Sequence, residues 1–373
     1  MIEKDTAPVD ASKSETLSIQ EFKERFDPIL KTTLEQKISH LTKLTDDKED
    51  ASILEGLDYM KKLVLEDGKR IRPYMAYLMY SALGGKNTEQ ALRLFTSLEL
   101  FHAFGFIHDD IIDKGSRRRG MDTLHIHIAN KLQKGGQSTD YFHIGNSQSI
   151  LLGDRLHGWS QEIINSNSHF DEEKIKKVRG IFAAMTDQVF VGQAIDVDMT
   201  THPQVSTPRI DKKIRLKTAS YTFIGPMLIG AALAGKDTEN IERFCEEFGL
   251  QLGIAFQTQD DLFDIISPEK TLGKTTLSDI PGHQHTYLTQ YVLENGTDDQ
   301  KERLADLSNL PLTTESKAEI QQIFDESGAI QFGKKIIAKS MQAAQQLVAT
   351  APMETKEKNS LIRVINDLAT RSH

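Results

Sequence analysis

Two apolar stretches of the sequence run into the same acidic pattern, and a buried acid is among the hardest groups for a fold to accommodate. In SLELFHAFGFIHDDIID (97–113), nearly every side of a helix would be apolar, which predicts a helix buried all round. The stretch ends in Asp109, Asp110 and Asp113. At about 100° per residue, His102, Asp109 and Asp113 fall within roughly 20° of one line, while Asp110 projects further round. Two carboxylates then lie one turn apart at the negative end of a buried helix, which is repulsive without a cation. The same spacing returns in GLQLGIAFQTQDDLFDI (249–265) as Asp260, Asp261 and Asp264, with Gln257 on the same stripe. One cluster could be a helix end emerging into water. Two at identical spacing invite hard cations with oxygen ligands. Magnesium suits this best, because it keeps several waters and completes its shell with phosphate oxygens. No close His/Cys cage supports zinc, and His283 and His285 read as loop residues.

Around these stretches the pattern is helical throughout. Periodicity predicts helices over 19–44, 52–66, 73–83, 88–112, 146–165, 172–199, 210–234, 238–266, 285–295, 314–325, 329–348 and 353–370. The breaks GGKN (84–87), KGGQ (134–137), THPQVSTP (201–208) and SPEKTLGK (267–274) carry stop signals. Residues 131–145 form a longer, more polar connection than a compact helix pair needs. No linker or solenoid repeat divides the chain, so the expectation is a polar tail at 1–18 followed by one all-α domain over 19–373. No apolar run reaches membrane-spanning length, and the amino terminus lacks a basic-then-apolar export pattern. The lone Cys245 excludes an intramolecular disulfide and reads as a small buried hydrophobe in a reducing cytoplasm. The net charge is −9, and the 45 Lys and Arg form no single long stripe, which disfavours a nucleic-acid partner.

The cations instead fall in short groups near the acids. Lys69, Arg70 and Arg72 lie in DGKRIRP, Arg117, Arg118 and Arg119 follow the first cluster, Lys217 and Thr218 lie in RLKTAS, and Lys274 lies in LGKTT. Arginine grips a diphosphate in a forked manner and lysine as a point charge.

Taken in order, GKRIRP, DDIIDKGSRRRG, LLGD (151–154), GQAID (192–196), KTASYTFIGPMLIGAALAG (217–235), FQTQDDLFD (256–264) and GKTTLSD (273–279) resemble the trans-isoprenyl diphosphate synthase (polyprenyl synthetase) family. The resemblance runs from about residue 30 to beyond 350. It implies an antiparallel helical bundle around a deep central cavity, as a homodimer. By the same resemblance, Asp109, Asp110, Asp113, Asp260, Asp261 and Asp264 bind about three magnesium ions that hold an allylic diphosphate, which Arg118, Lys217 and Lys274 also grip. Lys69, Arg72, His102 and Arg119 would bind isopentenyl diphosphate, while Thr218 and Gln257 would face the developing carbocation. A terpene cyclase on the same fold would lack the second diphosphate pocket. A non-catalytic subunit would have lost an aspartate cluster or the arginine pair. Many members carry SDxxEGKxT after the second cluster; here the stretch reads SDIPGHQHT, and Gln284 takes the lysine position. Phe104, five residues before Asp109, with Gly105 behind it and no insertion in DDIID, resembles synthases stopping near twenty carbons. Fifteen carbons is the next expectation, and longer chains are the alternative.

Overall fold

The computed structural model describes residues 16–46, 48–66, 68–136, 140–267, 276–277 and 279–369. The described chain is helical, apart from a short antiparallel hairpin of β1 (Arg117–Arg118) and β2 (Met121–Asp122). In order the helices are α1 (Ile19–Thr42), α2 (Ala51–Leu65), α3 (Ile71–Ala82), α4 (Thr88–Ile112), α5 (Leu124–Lys134), α6 (Tyr141–Asn165), α7 (Glu172–Met199) and α8 (Thr207–Lys213). A π-wound segment, Ile214–Ile224, continues α8 into α9 (Gly225–Ala234). After α10 (Glu239–Ile266) come α11 (Tyr287–Asn295), α12 (Asp298–Leu307), α13 (Thr314–Glu326), α14 (Ala329–Thr350) and α15 (Thr355–Ala369).

The helix expected over 88–112 is α4, and it is buried on nearly every side, as its composition demands. It packs along α6, with α3 and α1 on other flanks. α10, the carrier of the second acid cluster, lies between α14 and the π segment. The main apolar core runs from Phe22 in α1 to Leu368 in α15.

Two local differences from the sequence pattern have physical causes. Periodicity over 210–234 predicts one uniform helix, but the winding opens to the π form before Pro226. Proline cannot donate and its ring crowds the carbonyl four residues back, and a wider turn relieves that clash. Two glycines let neighbours approach this segment closely. A Cβ on Gly192 of α7 would lie 2.4 Å from the Lys217 nitrogen, and one on Gly253 of α10 would lie 2.3 Å from Ala219 Cβ. The second difference is at the start. Of the expected tail, residues 1–15 lie outside the described residues, whereas the Leu17 backbone is held by Tyr77 (N to Oη 3.0 Å) and Tyr74 (Oη to O 3.1 Å). Ser18 then caps α1 reciprocally with Glu21.

Arg70 is the buried knot of the α1–α4 corner. In a left-handed conformation ahead of α3, it donates to Asp27 in α1 at 2.8 Å and to Glu99 in α4 at 2.7 Å. It also donates to the Val64 and Leu65 carbonyls at 3.1 and 3.2 Å, which closes the end of α2. Among the cations of DGKRIRP it is therefore the structural one. Removing it would leave Glu99, only 4% exposed, without its buried partner. Arg70→Met should cost about 3–5 kcal/mol, seen as a fall in the denaturation midpoint; an unchanged midpoint would contradict this role.

Candidate active site

Asp109 and Asp110 lie in the last turn of α4, and Asp113 is its C-cap, so the carboxylates meet a helix end that is already negative. Lys217 of the π segment comes within 3.4 Å of Asp109. Asp113 is an exposed residue, yet its carboxyl is crowded. Partial withdrawal from water and the charges of Asp109, Asp196 and Asp279 push it up to about 7, against the opposing pull of Lys217.

Asp110 turns the other way. It is buried and receives Arg118 in a forked pair, with Nε at 3.0 and 2.9 Å and Nη2 at 2.7 Å. One residue of helical rotation takes Asp110 off the Asp109–Asp113 stripe, and it pairs with Arg118 rather than lining up with those two acids. Arg118, expected on the allylic diphosphate, is committed to Asp110, its guanidinium 5.0 Å from the Phe106 ring centre.

The second cluster lies at the end of α10, with Asp261 and Asp264 buried and Asp260 half-buried. Thr218 Oγ1 donates to Gln257 at 2.7 Å, and Gln257 Nε2 donates to Asp261 at 2.8 Å. Burial and the charges of Asp279 and Asp260 push the Asp261 carboxyl up to about 8, while Lys213 and the Gln257 hydrogen bond pull it down. Asp279 thus acts on both Asp113 and Asp261, so the ends of α4 and α10 share one electrostatic neighbourhood.

The donor set fits magnesium. All of it is carboxylate oxygen, and burial, reinforced by neighbouring carboxylates, raises the affinity of Asp113 and Asp261 for protons, a cost that a divalent ion would offset. Among the described residues, no three His, Cys, Asp or Glu side chains already converge on a point.

Three residues not singled out from the sequence belong to this site: Asp196, Lys213 and Asp279. Asp196 of α7 is buried and takes Lys217 on one oxygen at 2.5 Å and Lys213 on the other at 3.0 Å. Burial disfavours its charge, but Lys217 and Lys213 outweigh that and hold its carboxyl below the usual range. Burial likewise opposes the Lys217 charge, and Asp109, Asp196 and Asp113 override it, raising its affinity for the proton. The signal for Asp196 lay in GQAID, one turn beyond Gly192. For Lys213 it lay in the four-residue spacing to Lys217.

A second cationic group gathers around His102. Arg72 is buried, with its guanidinium 4.2 Å from the Tyr221 ring centre. Among the described residues, Arg72 Nε and His102 Nδ1 are buried without a hydrogen-bond partner. Burial, then the charges of Arg72, Arg119 and Arg118, hold the His102 imidazole well below its ordinary value, so it is neutral. Arg119, in a left-handed conformation after β1, donates to the Glu66 carbonyl at 3.1 Å. Gly68 leaves room chiefly for Arg70, since a Cβ there would lie 2.7 Å from Arg70 Nη1 and 3.3 Å from Arg119 Nη2. Lys69 is exposed at the edge of this group. Lys274 lies outside the described residues.

In the segment after the second cluster, His283 adopts φ 52° at the glycine position of the family pattern, and Gln284 follows it. His285 is buried with Nε2 2.8 Å from the His202 carbonyl, and burial lowers its proton affinity. It therefore supplies no cation in place of the missing lysine.

The polyprenyl synthetase family profile matches residues 56–327. A short chain isoprenyl diphosphate synthase of Methanocaldococcus jannaschii is 30% identical over 272 residues, 73% of this chain and 75% of that protein. A geranylfarnesyl diphosphate synthase of Aeropyrum pernix is 27% identical over 308 residues, 82% of this chain and 90% of the relative. The crystal structure of geranylgeranyl pyrophosphate synthase from Corynebacterium glutamicum, complexed with isoprenyl diphosphate and magnesium, superposes with a TM-score of 0.89 at 25% identity. That match covers 95% of this chain and 100% of the other. With the paired acid clusters, the two cationic groups and these matches together, the chain belongs to the polyprenyl synthetase family.

Proposed function

We propose that this chain joins isopentenyl diphosphate head to tail to an allylic diphosphate, releasing pyrophosphate and giving a short-chain all-trans prenyl diphosphate. The single observation that carries the reading is the presence of two separate cationic groups around α4. One is Lys217 at Asp109. The other is Arg72, Arg119 and the neutral His102, where buried nitrogens lack hydrogen-bond partners among the described residues. A cyclase ionises one diphosphate and has no use for the second group.

Asp109, Asp113, Asp260, Asp261 and Asp264 would hold about three magnesium ions. When bound, magnesium neutralises charge on the departing diphosphate. Lys217 reinforces that neutralisation from the protein side, as a preorganised charge in a water-poor setting. The allylic carbon–oxygen bond breaks with its electron pair leaving on pyrophosphate. The carbocation then takes the double-bond electrons of isopentenyl diphosphate, whose diphosphate Arg72, Arg119 and Lys69 hold. Thr218 Oγ1 and Gln257 Oε1 present partial negative charge to the cation. A proton is lost from the new chain to the departing pyrophosphate, so no side-chain base is required. Lys274 completes the allylic grip in this reading.

Twenty carbons is the proposed product, with fifteen next. Phe104 is half-buried, its ring 4.8 Å from His108 and 4.9 Å from His157 of α6, centre to centre. Beside it, a Cβ on Gly105 would meet nothing within 4 Å, so space for a growing chain opens next to a braced ring. Among the described residues no helix is long and apolar enough to cross a membrane. A cytoplasmic setting is proposed from the lone, buried Cys245. A homodimer is proposed through the outer faces of α6 and α7, where Phe142, Leu151, Phe190 and Val197 are exposed.

Three outcomes are expected. Asp113→Asn should lower kcat about 10²–10³-fold with radiolabelled isopentenyl diphosphate, while stability in chelator is unchanged or higher because a repelling charge is gone. Wild-type turnover would end the reading. Phe104→Ala should lengthen the dephosphorylated products on chromatography, and unchanged length would remove it as the ruler. The pair Leu151→Asp with Phe190→Asp should sediment as a monomer; a retained dimer would place the interface elsewhere.

A further inference from the structure

Lys213 ends α8 and is buried, with its side chain 10% exposed. Its ammonium donates to the His285 carbonyl at 2.7 Å and lies 3.0 Å from Asp196 Oδ1. The other Asp196 oxygen lies 2.5 Å from Lys217, which reaches Asp109 at 3.4 Å. Four charges thus alternate in a row: Lys213, Asp196, Lys217, Asp109. The row exists because Gly192 lets α7 press against the backbone at Lys217, which brings Asp196, one turn on, between the two lysines.

Burying a lysine is costly, and a buried ion pair is weak support for stability by itself. The arithmetic of charge suggests another use. Asp196 is closer to Lys217 than Asp109 is. With Asp196 and Lys217 alone, one charge cancels the other, and nothing remains for an anion. With Lys213 present the trio carries a net positive charge, because Lys213 neutralises the carboxylate that would otherwise detain Lys217. The His285 carbonyl accepts a hydrogen bond from Lys213 and anchors its ammonium beside Asp196.

We infer that Lys213 is a positioning residue that occupies Asp196 and so leaves Lys217 available to the allylic diphosphate. The inference rests on the prenyltransferase reading but can be tested without turnover. Calorimetric titration of the full chain with inorganic pyrophosphate in magnesium reads the diphosphate grip directly, and KM for each substrate shows which pocket is affected. Lys213→Met should weaken pyrophosphate binding and raise the allylic KM about tenfold, leaving the isopentenyl diphosphate KM within about twofold. Lys213→Gln keeps a donor for the His285 carbonyl, tolerates burial better, and should show the same loss. Adding Asp196→Asn to Lys213→Met removes the carboxylate that detains Lys217 and should restore pyrophosphate binding to within about threefold of wild type.

A merely structural lysine predicts the opposite, with the double variant as weak as Lys213→Met or weaker. That result, a Lys213→Gln protein that binds like wild type, or equal shifts in both KM values would overturn the inference. If the wild-type chain bound pyrophosphate with this pattern but made no condensation product, the prenyltransferase reading would fall and the role of Lys213 would stand.

Discussion

The site is organised by repulsion. Asp109 and Asp113 crowd the end of α4, Asp260, Asp261 and Asp264 crowd the end of α10, and Asp279 adds its charge at Asp113 and Asp261. Helix ends that carry partial negative charge make the crowding worse. Two lysines reach the crowd from one helical rod, Lys213 and Lys217, and they share it with Asp196. A protein selected for stability alone would not assemble such a set. On the proposed reading, a magnesium-bound diphosphate would correct this imbalance.

The scaffold around this crowd is conventional packing used for precise placement. α4 is apolar nearly all round and sits deep in the main core, which fixes the height of the first cluster. The π winding, with Gly192 and Gly253 beneath it, brings α7, α8 and α10 close enough for Asp196, Lys217, Thr218 and Gln257 to touch. Arg70 ties α1, α2 and α4 together and so fixes the corner from which Arg72 and Arg119 approach His102.

Much of this was legible in the sequence because the apolar periodicity is strong where the site is built. Both acid helices and their spacing follow from residues read in order, while the Arg72–His102–Arg119 grouping comes only from the family resemblance. What escaped did so for local reasons. In α5, Leu124, Ile126 and Ile128 alternate with histidines, a strand-like period, yet the buried set Leu124, His125, Ile128, Ala129 and Leu132 follows a helical face. In α12 only Leu304 and Leu307 are buried, too few to set a period. Asp110 and Arg118 share a motif with Asp109 and Asp113, and only the fold shows that they pair with each other. Lys213 carried no motif, since its meaning depends on where α7 places Asp196.

The most direct test is diffraction from crystals grown with magnesium and a non-cleavable allylic diphosphate analogue. The account predicts metal density linking Asp109 and Asp113 on one side, and the α10 acids on the other, to the diphosphate oxygens, with Lys217 Nζ on the diphosphate. A diphosphate seated only among Arg72 and Arg119, with the aspartates turned apart into solvent, would contradict it.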